Sequence, residues 1–183
     1  MEIEKSIERQ KFYPKFLQSY SRNYEKQGFT RVQQFFYHIE NYLAEIYIFH
    51  ERTISLLNKI KREAKKVGIP VKELKQVDIL KKYFRKSLNG IVGIRGRHTH
   101  VQRFVDYDTI SLESIDNYLT SSIKMSKKEK NKYEAYRKLL LMMARHQWKK
   151  KIRKNNKTLL TLLDAMFYVL NKRKIITNIA KRQ

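Results

Sequence analysis

Arg95 and His100 are the two residues whose types and spacing best suit chemistry at a phosphate. They lie in the stretch LNGIVGIRGRHTHVQRF, residues 88–104, which holds three of the five glycines of the chain. A guanidinium binds phosphate with a planar fork of donors, and an imidazole transfers protons near neutral pH. Together they could cleave RNA without a metal, because a base takes the 2′-hydroxyl proton while a cation stabilises the developing charge. The basic neighbours Arg97 and Arg103 should favour the neutral form of His100.

The segments around this stretch have the three-four spacing of apolar residues that predicts α-helices. A helix over residues 3–26 should be interrupted near Pro14. Thr30 and Gln33 have the spacing of a capping box ahead of the clearest helix, which should end before Gly68. Further helices are predicted over residues 71–88, within 106–125, from 126 to about 154, and from 158 to about 171.

No segment alternates apolar and polar residues over a useful length, as a half-buried strand does. We therefore predict an all-α fold, a single domain over residues 1–183 built as a helical bundle of five to seven helices. His38 and His50 fall within the second helix, where we expect partly buried, hydrogen-bonded side chains rather than ligand-binding groups. The absence of cysteine excludes disulfides and thiolate metal sites.

Positive charge is the dominant feature of the composition. The chain has 41 basic and 17 acidic residues, a formal charge of +24. Residues 124–183 hold 19 of the basic residues and only 3 of the acidic ones. Such a field attracts polyanions, so we predict RNA or another polyanion as partner. Proteome-wide lysine enrichment is the alternative explanation of the charge.

The basic side chains that follow residue 144 could bind phosphates while the single tryptophan among them stacks on a base. The tryptophan could instead pack on the core, and the run could be a solvated helix end or, more weakly, a membrane-surface helix. The residues predicted to contact nucleic acid are Arg103, Arg145, Trp148, Lys149, Lys150, Lys151, Arg153 and Lys154.

Other classes of site have little support in the sequence. His98 and His100 could join Asp106 or Asp108 as metal ligands, but nearby arginines would repel a cation, so no metal is predicted. No nucleotide-binding glycine motif or hydrolase motif is present, and no cofactor is expected. No apolar run is long enough to span a membrane, and no secretory h-region begins the chain, so we expect a cytoplasmic protein without membrane contact.

The Arg-x4-His pair, placed after two long helices in an all-α chain, resembles the HEPN superfamily. Arg95 and His100 match its R-x(4–6)-H motif, and the aromatic helix FFYHIENYLAEIYIFHERTISLLN is similar to that of HEPN-like bacterial proteins. In the superfamily a polar residue commonly follows the arginine. This chain has Gly96 there, and Arg97 and His98 are expected to assist the pair.

The resemblance implies a HEPN-like helical bundle, commonly a homodimer in which two motifs share one cleft and cut RNA without metal. It also implies a role of the toxin–antitoxin or phage-defence type, with an acidic antitoxin-like protein as a further partner. Two other hypotheses stay open. The protein could be a non-catalytic basic module that binds nucleic acid or an acidic protein, or a purely structural helical protein without nucleic-acid affinity.

Overall fold

A computed structural model describes the backbone of residues 2–100 and 109–181 and, within these ranges, all side chains except those of residues 2, 22 and 91–100. Within this part of the chain the structure is helical and contains no strand. Its helices are α1 Glu2–Gln10, α2 Tyr13–Phe16, α3 Arg22–Lys26, α4 Arg31–Lys66, α5 Val71–His100, α6 Ile110–Thr120, α7 Lys127–Lys172 and α8 Ile175–Ala180. Seven of these described helices have five residues or more, and α2 is a four-residue turn. The all-α prediction is confirmed for this part of the chain, and the seven longer helices lie within the expected range.

The N-terminal helical segment is interrupted just before Pro14, as predicted, and a second time over residues 17–21, where the prediction had the helix continue. Helix α1 ends at Gln10, and Pro14 occupies the first turn of α2, where a backbone N–H has no helical partner to lose. After α3 the chain turns at Gly28, whose φ of 81° lies in the left-handed region that favours glycine. This turn leads directly into α4.

Helix α4 is bounded by the signals found in the sequence. The Gln33 N–H donates to the Thr30 hydroxyl at 3.0 Å, and the Thr30 N–H donates to the Gln33 side-chain oxygen at 2.8 Å. These bonds complete the capping box and satisfy two donors that the first turn leaves unpaired. The helix ends just before Gly68, whose φ is 75°.

Helix α5 is longer than predicted. It starts at Val71 as expected, but the backbone stays helical through the glycine stretch to His100 instead of ending at Leu88. Each glycine costs a helix only about 1 kcal/mol relative to alanine. Since residues 71–100 contain no proline, no backbone donor is missing from the helix.

Helix α7 begins at the predicted capping box. The Glu129 N–H donates to the Ser126 hydroxyl at 3.2 Å, and the Ser126 N–H donates to the Glu129 carboxylate at 3.0 Å. The prediction was wrong about the other end of α7. The two helices expected on either side of residues 155–157 form one helix that continues to Lys172.

Tertiary hydrogen bonds at Asn156 explain why α7 continues there. The Tyr42 hydroxyl donates to the Asn156 side-chain oxygen at 3.1 Å, and the Asn156 amide donates to the Gln10 carbonyl at 3.0 Å. An asparagine weakly favoured in an isolated helix is thereby given partners on two other helices. The bonds connect α1, α4 and α7 at one point.

All the described helices except α3 contribute to one hydrophobic core cluster, with α4 at its centre. Tyr42, Phe35 and Phe49 of α4 are almost fully buried, as is Phe84 of α5. Helix α4 packs along α5 and also contacts α1, α2, α6 and α8, while α7 contacts α1, α2, α5, α6 and α8. The first half of α7 is therefore held against the N-terminal segments, where it lines the cavities described below.

Candidate anion-binding groove

One face of α7 forms the wall of a basic groove. Lys138, Met142, Arg145 and Lys149 follow a spacing of four, three and four residues, which places them on the same side of a helix. They border a cavity of about 400 Å³ whose other wall includes Arg31 of α4. We call this cavity the cationic groove. Its lining residues are Gln18, Arg31, Lys138, Leu141, Met142, Arg145, His146 and Lys149.

The cationic groove holds positive charge without a compensating acid among its lining residues. Arg145 is half-buried, and its Nε is shielded from solvent without a hydrogen-bond partner in the described structure. Burial, and secondarily repulsion from Arg31, lowers the pKa of the Arg145 guanidinium from its ordinary value. A guanidinium nevertheless stays protonated in proteins, so two cations are held close together. An anion is the ligand that such a site can bind most favourably.

A second cavity, of about 420 Å³, adjoins the cationic groove and shares Arg31, Lys138 and Leu141 with it. Its remaining lining is aromatic and polar, and we call it the aromatic cavity. It is completed by Tyr20, Glu25, Gly28, Phe29, Thr30, Val32 and Arg137. The Arg31 guanidinium lies over the Tyr20 ring, 4.8 Å from its centre, and so stands at the boundary of the two cavities.

A polar cluster fixes the walls of both cavities. Buried Asp116 of α6 accepts a hydrogen bond from the Thr30 hydroxyl at 2.7 Å and one from Arg137 Nη1 at 3.0 Å. The carboxylate thus connects the start of α4 to α6 and α7. Because Arg31 directly follows Thr30 and Lys138 directly follows Arg137, this cluster sets the position of the basic side chains.

The structure places the predicted basic residues of α7 in different environments. Arg145 and Lys149 line the cationic groove. Lys150, Arg153 and Lys154 are exposed, and the Lys151 ammonium lies 5.1 Å from the centre of the Trp148 ring. Trp148 itself is 4% exposed and belongs to the core cluster, so its ring is not available to stack on a base. The core-packing alternative is the one observed for this residue.

The predicted catalytic residues lie on α5 by their backbone. Arg95, Arg97, His98 and His100 are part of this helix, while their side chains, and Arg103, Asp106 and Asp108 entirely, lie outside the described residues. Positions five apart on an α-helix are about 140° apart around its axis. The positions of Arg95 and His100 therefore do not stack as residues three or four apart do.

The two histidines of α4 have local partners, in agreement with their prediction. His38 is half-buried, stacks on the Phe16 ring at 5.6 Å and accepts a hydrogen bond from the Gln34 amide at 3.3 Å. Burial lowers the pKa of His38 from its ordinary value. His50 is buried, with Nδ1 3.0 Å from a carboxylate oxygen of Glu51.

Arg31, Lys138 and the aromatic cavity are the site residues that the sequence did not indicate. Lys138 lies seven residues before Arg145, and this helical spacing could have placed it on the same face. Arg31 and Phe29 are more than 100 residues away in the chain, and no local pattern connects them to α7.

Among the described side chains of residues 3–90 and 109–181, no three potential ligands cluster as a metal site requires. In the same part of the chain, no helix combines the length and apolarity that crossing a bilayer demands. The chain matches no protein-family model, and neither a curated protein nor a solved structure shows significant similarity to it.

Proposed function

We propose that this protein binds RNA or another nucleic acid through the cationic groove. The observation that carries the proposal is the approach of Arg31 and half-buried Arg145 in a groove whose lining contains no acid. Phosphate oxygens would accept hydrogen bonds from the two guanidinium groups and offset the repulsion between the two cations. The excess of basic over acidic residues in the last third of the chain would draw the polyanion towards α7.

A double substitution tests this proposal against a control of equal charge. Arg31→Gln with Arg145→Gln removes two positive charges from the groove, whereas Arg85→Gln with Lys86→Gln removes two from exposed positions of α5. We expect the groove variant to weaken binding of a fluorescent RNA oligonucleotide at least about tenfold more than the control, given the strength of charge-assisted hydrogen bonds.

Equal losses in the two variants would show that only net charge matters, and the groove would lose its role. An unchanged affinity in the groove variant would also contradict the proposal. The groove variant removes both the repulsion between the two guanidinium groups and the contact of Arg31 with the Tyr20 ring. A helical circular dichroism spectrum and a cooperative melt like those of the wild type show that it folds.

The enzymatic form of the proposal rests on the sequence. As in HEPN-like nucleases, Arg95 and His100 would cleave bound RNA without a metal, in a homodimer of the toxin or phage-defence type that an acidic antitoxin-like protein could neutralise. A His100→Ala variant that loses cleavage in the presence of EDTA but keeps RNA affinity supports this form. If the wild type binds RNA but does not cleave it, the result supports the hypothesis of a non-catalytic binding module. If the wild type has no affinity for RNA at moderate salt, the result supports the hypothesis of a purely structural helical protein.

A further inference from the structure

The two adjoining cavities differ in chemistry in a way that suits the two ends of a nucleotide. The cationic groove is lined by arginine, lysine and histidine and has no acid in its lining. The aromatic cavity is lined by Tyr20, Phe29 and one acidic residue, Glu25. Arg31 and Lys138 belong to both, so a ligand could pass from one cavity to the other without leaving the protein surface.

We propose that the pair of cavities binds an unpaired nucleotide, with its phosphate in the cationic groove and its base in the aromatic cavity. This inference rests on the proposed function and names the form of nucleic acid that the site takes. The shared ligand chemistry is a phosphate beside an exposed base, and it occurs both in a single strand and in a free mononucleotide.

The distribution of charge favours one orientation of the ligand. Arginine and lysine line both cavities, but Arg137 of the aromatic cavity is paired with Asp116. Glu25 is exposed and would repel a phosphate from the aromatic cavity, whereas its oxygens can accept hydrogen bonds from the N–H groups on a base edge. Arg145 and Lys149 line only the cationic groove. The anionic part of the ligand is thus directed to one cavity and the neutral, hydrogen-bonding part to the other.

Phe29 is the side chain that the base would contact. It is 51% exposed, although a phenyl ring gains by leaving water, and it lines the aromatic cavity. The other aromatic ring there is occupied, because Tyr20 carries the Arg31 guanidinium on one face and donates its hydroxyl to the Phe29 carbonyl at 3.1 Å. The Tyr20 hydroxyl thereby holds the Phe29 backbone in place. The Phe29 ring meets the Tyr24 ring in an edge contact at 6.1 Å and keeps about half of its surface exposed.

A base in a duplex is stacked on both faces and cannot enter this cavity. Single strands expose their bases for stacking on aromatic side chains, and each such contact contributes about 1–3 kcal/mol. An unbroken duplex could still reach the cationic groove with its phosphates. Preference for a single strand over a duplex of the same length is therefore the signature of base entry.

The test compares three fluorescent or competing probes on the full chain: a single-stranded RNA, its duplex, and inorganic polyphosphate of similar charge. We expect the single strand to bind best. Phe29→Ala should weaken single-strand binding by about fivefold to 150-fold, the range that one stacking contact gives, and should leave polyphosphate binding unchanged. Phe12→Ala is the matched control, since Phe12 is 48% exposed and lines neither cavity.

Each outcome decides a different point. Equal binding of all three probes, with no effect of Phe29→Ala, overturns the base site and leaves phosphate binding intact. No binding of any probe overturns the proposed function, and the inference with it. Competition by AMP separates the two sources of the ligand. AMP that competes at the affinity of the strand indicates a free nucleotide, and much weaker competition indicates a strand.

Discussion

Arg145 keeps a positive charge in a place where water reaches only part of its side chain. Its Nε has no partner in the described structure, and Arg31 repels it. A buried donor left without a hydrogen bond costs free energy, and the cost rises when the donor is charged. Retaining this arrangement is unfavourable for folding alone, which is why we assign it to ligand binding.

His38 gives the clearest pH-dependent effect at the scale of one residue. Burial lowers its pKa below the ordinary histidine value of about 6.5, so the unfolded chain takes up this proton at higher pH than the folded protein does. Below about pH 6.5 the unfolded state then binds more protons at this site, and stability falls with acidification.

We expect His38→Gln to flatten this dependence. The free energy of unfolding, measured by urea titration at about pH 7.5 and about pH 5.5, should fall less between these values in the variant than in the wild type. Equal falls in both proteins would mean that His38 takes up its proton as easily in the folded protein as in the unfolded chain.

Individual residues show which parts of the cationic groove could be predicted from the sequence. Arg145 and Lys149 were predicted as phosphate contacts and line the groove, because a basic run on a helix is visible locally. Trp148 sits in the same run and is buried, since the face of a helix that packs on the core depends on its neighbours. Arg31 could not be found at all, because its position beside Arg145 is a property of tertiary packing.

At the scale of helices, the helix ends predicted from capping residues and glycines were more accurate than the predicted breaks within helices. Both capping boxes and Gly68 lie where the sequence placed the helix ends, since their hydrogen bonds and backbone angles are local. The breaks predicted after Leu88 and near Asn156 do not occur. Low helix propensity was the only signal for both, and tertiary hydrogen bonds outweigh it at Asn156.

Two glycines should respond in opposite ways to the same substitution. Gly90 lies within α5, and a Cβ added there would meet no atom within 4 Å. Gly90→Ala should therefore stabilise the protein by about 0.5–1 kcal/mol. Gly28 is equally open but has a φ of 81°, so Gly28→Ala should destabilise by about 1–2 kcal/mol. Thermal melts of the two variants check both signs, and a lower melting temperature for Gly90→Ala would contradict the helical assignment of this position.

The carboxylate of Asp116 is the contact that holds α4, α6 and α7 together at the cavities. It is 3% exposed, and Asp116→Ala would leave both the Thr30 hydroxyl and the Arg137 guanidinium without this partner. We expect a loss of about 2–3 kcal/mol in unfolding free energy, moderated because Arg137 can reach water.

Asp116→Asn should cost less than Asp116→Ala, because an amide oxygen can still accept the Thr30 hydrogen bond. Chemical denaturation of the two variants measures this order. Equal losses in the two variants would assign most of the stabilisation to the charge rather than to the Thr30 hydrogen bond.

At the scale of the whole molecule, the number of phosphates that the basic residues neutralise sets how binding depends on salt. The cationic groove offers Arg31, Lys138, Arg145 and Lys149 to phosphates. If each neutralises one phosphate of a single strand, the logarithm of the association constant should fall with the logarithm of salt concentration with a slope of about −3.

Removing Arg31 and Arg145 together should make this slope shallower by about 1.4. Binding titrations of wild type and double variant at four or five salt concentrations give both slopes. A slope that stays the same would place the bound phosphates elsewhere on the basic surface.

The repulsion between Arg31 and Arg145 has a consequence for the folding equilibrium. A ligand that binds only the native state raises its stability by thermodynamic linkage, by about 2.7 kcal/mol at a concentration one hundred times its dissociation constant. The protein stripped of polyanions should therefore melt at a lower temperature than the occupied protein, and part of the gain should vanish in the Arg31→Gln, Arg145→Gln variant. Folding and anion binding are coupled in this way. Nucleic acid that stays bound to the protein through purification would be the first sign of this coupling.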